Sequence, residues 1–198
     1  MTYRREIELV FDMASFQRGQ KNSRIDLWYI AANRETNPAP STPEKDFFLQ
    51  CIRDHIRGLP QSRTKIAGLL HMVRAAWDKA NCTSNHIRQL NITFPTAVVR
   101  TSDSSVAVKS SLLLPPIETK VEIALEIRGS SRPDGIEFTL HPEAKVVYGE
   151  HFNTGKMGEF LTTHLGDKAL SQEEGAPSWS VVIVDLHERL LARGRKQG

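Results

Sequence analysis

The chain has 198 residues, room for one large domain or two small ones and too few for an α/β barrel. With 39% hydrophobic and 25% charged residues it carries enough apolar material for a core, which excludes disorder over most of its length. The net charge of +3 divides unevenly, 15 basic against 9 acidic residues over 1–100 and 11 against 14 over 101–198. No apolar run reaches the roughly 20 residues that cross a bilayer. Met1-Thr2-Tyr3-Arg4-Arg5-Glu6 lacks the apolar segment of a signal peptide, so a soluble, intracellular protein is expected.

Residues 3–13 alternate, with Tyr3, Ile7, Leu9, Phe11 and Met13 opposite Arg4, Glu6, Glu8 and Asp12, the period of a half-buried strand. A turn over 19–23 leads to a hairpin partner over 24–30. In the Pro-rich loop that follows, Ser41 and Glu44 have capping-box spacing and Pro43 fits a first helical turn, so a helix begins close to Thr42. It keeps Phe48, Cys51, Ile52, His55, Ile56 and Leu59 at helical spacing, and Gly58 with Pro60 stops it. A second helix places Ile66, Leu69, Leu70, Val73, Trp77 and Ala80 on one stripe and runs on to Pro95.

From Phe94 the period is two, with strands over 96–100, 106–114, 120–128 and 135–148. The clearest alternates Val121, Ile123, Leu125 and Ile127 with polar residues, and a turn over 130–135 returns the next strand beside it, a four-stranded meander. Helices over 154–165 and 179–192 close the chain, the second capped by Ser178. Strands followed by helices, twice over, argue for an α+β fold.

No catalytic constellation emerges. Gly149 to Lys156 superficially resembles a phosphate loop, but five residues separate the glycines where four are needed, and Met157 stands where a hydroxyl must reach magnesium. Gly155 and Gly158 are expected instead to let a helix start tightly against the sheet. The seven histidines, His55, His71, His86, His141, His151, His164 and His187, include no helical zinc pair, and Cys51 and Cys82 read as reduced structural thiols. Aromatic content is 7%, and Trp28, Trp77 and Trp179 are each placed on or near packing faces, which disfavours a nucleic-acid module. No cofactor, metal, membrane or direct nucleic-acid contact is expected, and the chain is read as not an enzyme. The alternative is an enzyme or a ubiquitin-conjugation-related fold whose site is assembled from residues far apart in sequence.

Several stretches together resemble a known family: Arg5-Glu6-Ile7-Glu8-Leu9-Val10-Phe11-Asp12, Cys51-Ile52-Arg53-Asp54-His55, Leu59-Pro60-Gln61-Ser62 and Ser102-Asp103-Ser104-Ser105-Val106-Ala107-Val108. Ser111-Leu112-Leu113-Leu114-Pro115-Pro116, Val146-Val147-Tyr148-Gly149-Glu150 and Leu190-Leu191-Ala192-Arg193-Gly194-Arg195-Lys196 continue the pattern. It is similar to the C-terminal region of fungal blinkin, the Knl-type scaffold of the kinetochore KMN network. That resemblance implies tandem RWD modules, a nuclear, kinetochore location, and docking onto the MIND complex, with a Zwint-like coiled-coil protein bound by the upstream region. The Tyr-Pro-x-x-x-Pro turn of many RWD domains is absent, and Leu114-Pro115-Pro116 is the nearest counterpart.

The expected organisation is a first RWD-like module over 1–61 with a reduced, two-stranded sheet, a connecting helix over 62–92, and the sheet and C-terminal helices of a second module over 93–198. A surplus of arginine and lysine over 53–100 faces only Asp54 and Asp78. It suits an acidic partner or is simply a solvated helix face. Arg53, Arg57 and Arg63 are the candidate partner-binding residues, in a groove where the modules meet.

Overall fold

The computed structural model describes residues 1–11, 25–59, 66–171 and 175–194. These form two compact units, Met1–Ala80 with Gly129–Glu137, and Asn81–Arg128 with Phe138–Gly198. Each has an antiparallel sheet and helices, an α+β fold. No described helix is long and apolar enough to cross a membrane.

The first unit has a three-stranded sheet in the order β1 (Thr2–Tyr3), β2 (Ile7–Phe11), β3 (Ile25–Tyr29). The single strand read over 3–13 is broken at Arg4 and Arg5, both with positive φ (51° and 55°), and Glu6 N donates to Tyr3 O at 3.0 Å. Two left-handed central residues closed by that bond make a primed turn within a three-residue connection between the paired Tyr3 and Ile7, so the sheet gains a third strand. The turn read over 19–23 lies outside the described residues. Period two holds in β2 and β3, where Ile7, Leu9, Ile25 and Leu27 are buried.

Helix α1 (Pro43–Gly58) starts with Pro43 at its first position. The capping box does not form: Thr42 is the N-cap without a side-chain bond, and Ser41 Oγ donates to Asp46 Oδ1 at 2.6 Å. α1 buries Phe47, Phe48, Ile52 and Ile56, while the N-terminal half of α2 (Ile66–Thr93) buries Leu69, Val73 and Trp77. Trp77 is fully buried, and its Nε1 donates to Glu6 Oε2 at 2.9 Å. Lys45 Nζ donates to Glu6 Oε1 at 2.9 Å and lies 5.7 Å from the Trp77 ring centroid. One carboxylate thus links the β1–β2 turn, α1 and α2. The segment Gly129–Glu137 adds Ser131, whose Oγ is 2.5 Å from His55 Nδ1.

In the second unit the strand order is β4 (Thr96–Ser102), β5 (Ser105–Leu114), β6 (Thr119–Arg132), β7 (Gly135–Tyr148), the tip of the last hairpin belonging to the first unit. Val98 and Leu125 both pair with Val108 across the meander. Val106, Val108, Leu112, Val121, Ile123, Leu125 and Ile127 are buried, together with Met157, Leu161 and Leu165 of α3 (Thr154–Leu165) and Trp179, Ile183, Leu186 and Leu190 of α4 (Trp179–Gly194). Asn153 caps α3, its Oδ1 accepting from Lys156 N at 3.0 Å.

The tight glycine contacts fall elsewhere than expected. A Cβ on Gly158 would meet nothing within 4 Å, and one on Gly155 only the capping Asn153 at 3.3 Å. At Gly149 (φ +97°) it would lie 2.3 Å from Thr119 Oγ1, the hydroxyl that accepts from Glu150 N at 2.8 Å. At Gly194 it would lie 2.7 Å from Ile117 Cγ2. The chain therefore presses closest where β7 ends and where α4 ends.

Candidate docking surfaces

Of the three candidate arginines, Arg53 and Arg57 share α1 and Arg63 lies outside the described residues. Arg53 is committed within the fold. Its Nε donates to Leu27 O at 2.7 Å, and its guanidinium stands 5.7 Å from the centroid of Trp28. Ile30 N donates to Glu6 O, so in the β2–β3 ladder the alternate pairs Glu8–Trp28 and Val10–Asp26 exchange bonds. The polar groups of Leu27 therefore point to the outer edge of β3, and Arg53 occupies one of them. Arg57 is exposed, with Nη1 3.8 Å from Asp54 Oδ1 across one helical turn, a contact with little hold on either side chain.

Beside Arg53 the outer face of this sheet carries Trp28, 52% exposed, and Val10, 48% exposed. The placement of Trp28 on a packing face is thus corrected. Residues 25–30 are apolar at both parities apart from Asp26, so alternation does not reveal which side faces water.

In the second unit an open groove of about 440 Å³ runs between α3 and α4. Phe152, Met157 and Phe160 line one side and Leu186, Leu190 and Ala192 the other, with Lys156, Arg189 and Arg193 at the rim. Arg189 lies 4.9 Å from the Phe160 centroid, and His164 stacks on the same ring at 4.0 Å. Arg189 Nε also donates to Asp185 Oδ1 at 2.9 Å, which holds its guanidinium charge above the usual arginine range through that hydrogen bond. Sequence reasoning missed this site. The available sign was the spacing of Leu186, Arg189, Leu190 and Arg193, an apolar stripe flanked by cations.

A second concavity of about 320 Å³ is lined by Thr93, Ser180, Val181, Val184, Asp185 and Glu188. Helical spacing puts Ser180, Val184 and Glu188 opposite the stripe that faces the basic groove, whereas Asp185, one turn before Arg189 and bonded to it, lies at the border between the two surfaces.

The thiols offer poor nucleophiles. Cys82 is buried and donates to Ser171 O at 3.2 Å, and burial raises its pKa, away from the thiolate. Cys51 is half-buried on α1. His55 and His86 are both held below the ordinary histidine pKa by burial. Both ring nitrogens of His86 are buried without a hydrogen-bond partner among the described residues, the ring lying flat on Trp179 at 4.9 Å. Among the described residues, no group of three or more His, Cys, Asp or Glu side chains is placed to hold a metal ion.

Compared with known proteins, no curated protein and no solved structure matches the chain. One family does match, over the span that contains the three-stranded sheet, α1 and the first half of α2. Residues 1–82 fit the model described as Knl1 RWD C-terminal domain, so this part of the chain is similar to the C-terminal RWD domain of Knl1/blinkin-type kinetochore scaffolds.

Proposed function

We propose that the chain is the non-catalytic region by which a Knl1-type scaffold is anchored to the MIND complex of the outer kinetochore during chromosome segregation. The family match over residues 1–82 carries this reading. In it, the second unit is a further RWD-like module, so that the region is a tandem, and a Zwint-like coiled-coil protein binds upstream of it. The buried, hydrogen-bonded thiol of Cys82 supports a role without covalent chemistry, since a conjugating enzyme needs an exposed thiolate.

In the first unit the proposed partner contacts are Arg53, Arg57 and Arg63. Arg53 contributes through the Trp28 patch, because its Nε is already bound to the sheet edge. Exposed cations of this kind chiefly raise association rates. The test is calorimetric titration of the purified chain with reconstituted MIND complex. Saturable binding is expected, with Arg57→Glu and Arg63→Glu together lowering the affinity at low salt and weakening its salt dependence while the fold stays intact. A wild-type chain that shows no binding at low salt contradicts the reading. A folded chain that takes up ubiquitin as a thioester contradicts its non-catalytic part.

A further inference from the structure

We infer that the groove between α3 and α4 is a docking site for a short amphipathic helix from a partner protein, apolar along one stripe and acidic on its flanks. This names a docking element for the anchoring function proposed above and rests on that reading for its biological setting. The physical case is local to the second unit.

The groove has the dimensions of a helix seat. Its walls come from Asn153, Met157 and Phe160 on one side and from Leu186, Leu190 and Arg193 on the other, an i to i+7 rise on each. At 1.5 Å per residue that is roughly 10 Å, two helical turns, which matches anchors at i, i+3 or i+4, and i+7. The floor is apolar, and Met157, Leu186 and Leu190 are each 4% exposed, so an occupant meets a rigid base rather than mobile side chains.

Charge selects the occupant. Lys156 and Arg193 form no ion pair among the described residues, and Arg189 is 61% exposed beside its one carboxylate. The first turn of α3 and the last turn of α4 both line the groove, so their helix ends offset each other and the rim side chains set the field. Glu188 lies on the opposite side of α4, and Asp185, at the border of the groove, is bonded to Arg189, so Lys156 and Arg193 carry the uncompensated charge of the rim. The chain's own continuation past Gly194 begins with Arg195 and Lys196, the same sign as the rim, and is thus a poor occupant. A second copy could offer the α4 side that carries Glu188, where Val181 is 66% exposed. That contact joins two different surfaces and propagates as an open chain unless its rotation closes a ring, so an acidic helix from another protein is the better fit.

The probe is a labelled peptide of about 14 residues, long enough for marginal helicity, with Leu at i, i+3, i+4 and i+7 and Glu on both flanks. A twin carries Lys for each Glu. Fluorescence anisotropy with the full chain is expected to show the acidic peptide bound about tenfold or more tightly than its twin. The exposed double substitution Lys156→Glu with Arg193→Glu should reverse that preference. Equal binding of both peptides, or acidic binding untouched by the double substitution in a folded protein, overturns the inference. So does reversible self-association in sedimentation that Val181→Glu abolishes, which would make a second copy the occupant. With reconstituted MIND complex the two claims separate. If wild type binds and the double variant binds equally well, the groove is wrong and the anchoring reading stands. If wild type ignores MIND but its groove holds the acidic peptide, the anchoring reading fails and the groove stands.

Discussion

Arg4 and Arg5 hold the turn between β1 and β2 in the left-handed region, where a side chain costs about 1–2 kcal/mol per residue. Other groups offset the strain. Arg34 donates from Nε to Arg5 O at 3.1 Å and from Nη2 to Arg4 O at 3.3 Å, and Arg4 Nη2 is 3.0 Å from Asp78 Oδ1. Arg5→Gly should therefore stabilise the fold by about 0.5–1 kcal/mol, the relieved strain less the extra freedom of glycine in the unfolded chain, and a urea midpoint that falls would refute this. The glycines divide the same way. Gly149→Ala drives a Cβ into Thr119 at positive φ and should cost about 3 kcal/mol. Gly158→Ala inside α3 meets nothing and should add about 0.5–1 kcal/mol of helix propensity. Comparing the two thermal midpoints checks both. This level was the least legible in the sequence. An Arg-Arg pair carries none of the Asn-Gly chemistry that marks such turns, and a glycine says nothing of which atom lies where its Cβ would be.

Period and punctuation read the elements well. The expected helices over 154–165 and 179–192 correspond to α3 and α4, and the strand expected over 135–148 is β7, because buried faces in those segments repeat at 3.6 or 2 residues. β6 runs to Arg132, beyond the predicted Arg128, since its polar end keeps strand geometry while losing the apolar alternation. The groove escaped because it arises from the packing of two consecutive helices, and only that packing sets Phe160 beside Arg189. The strongest single anchor at this scale is Trp77. Trp77→Ala should cost about 3–5 kcal/mol through the cavity it leaves. It also strips Glu6 Oε2 of its donor, whereas Trp77→Phe keeps most of the volume and loses mainly that hydrogen bond. A chemical denaturation series in which Ala and Phe cost the same would show that volume is not what this residue supplies. Arg53 belongs here too, since its bond to Leu27 O blunts an edge strand that would otherwise invite pairing.

Across the whole molecule, each unit carries one histidine that burial keeps neutral, His55 in the first and His86 in the second. Their folded pKa values lie below the ordinary 6.5, so between those values and 6.5 the unfolded chain binds more protons than the native one. Stability is then full above pH 6.5 and is lost as the pH falls through that window. Urea unfolding at about pH 7.5 and about pH 5.5 should show the loss, and His86→Phe, which preserves a ring on Trp179, should reduce it. An unchanged pH dependence in that variant would remove His86 from the explanation. The central claim, that this chain is a kinetochore docking region, is tested most directly in dividing cells by expressing the chain alone, fluorescently tagged, and measuring its enrichment at kinetochores with and without depletion of the MIND complex. Enrichment that disappears on depletion is expected; a diffuse signal in mitosis, or enrichment indifferent to MIND, would refute the assignment.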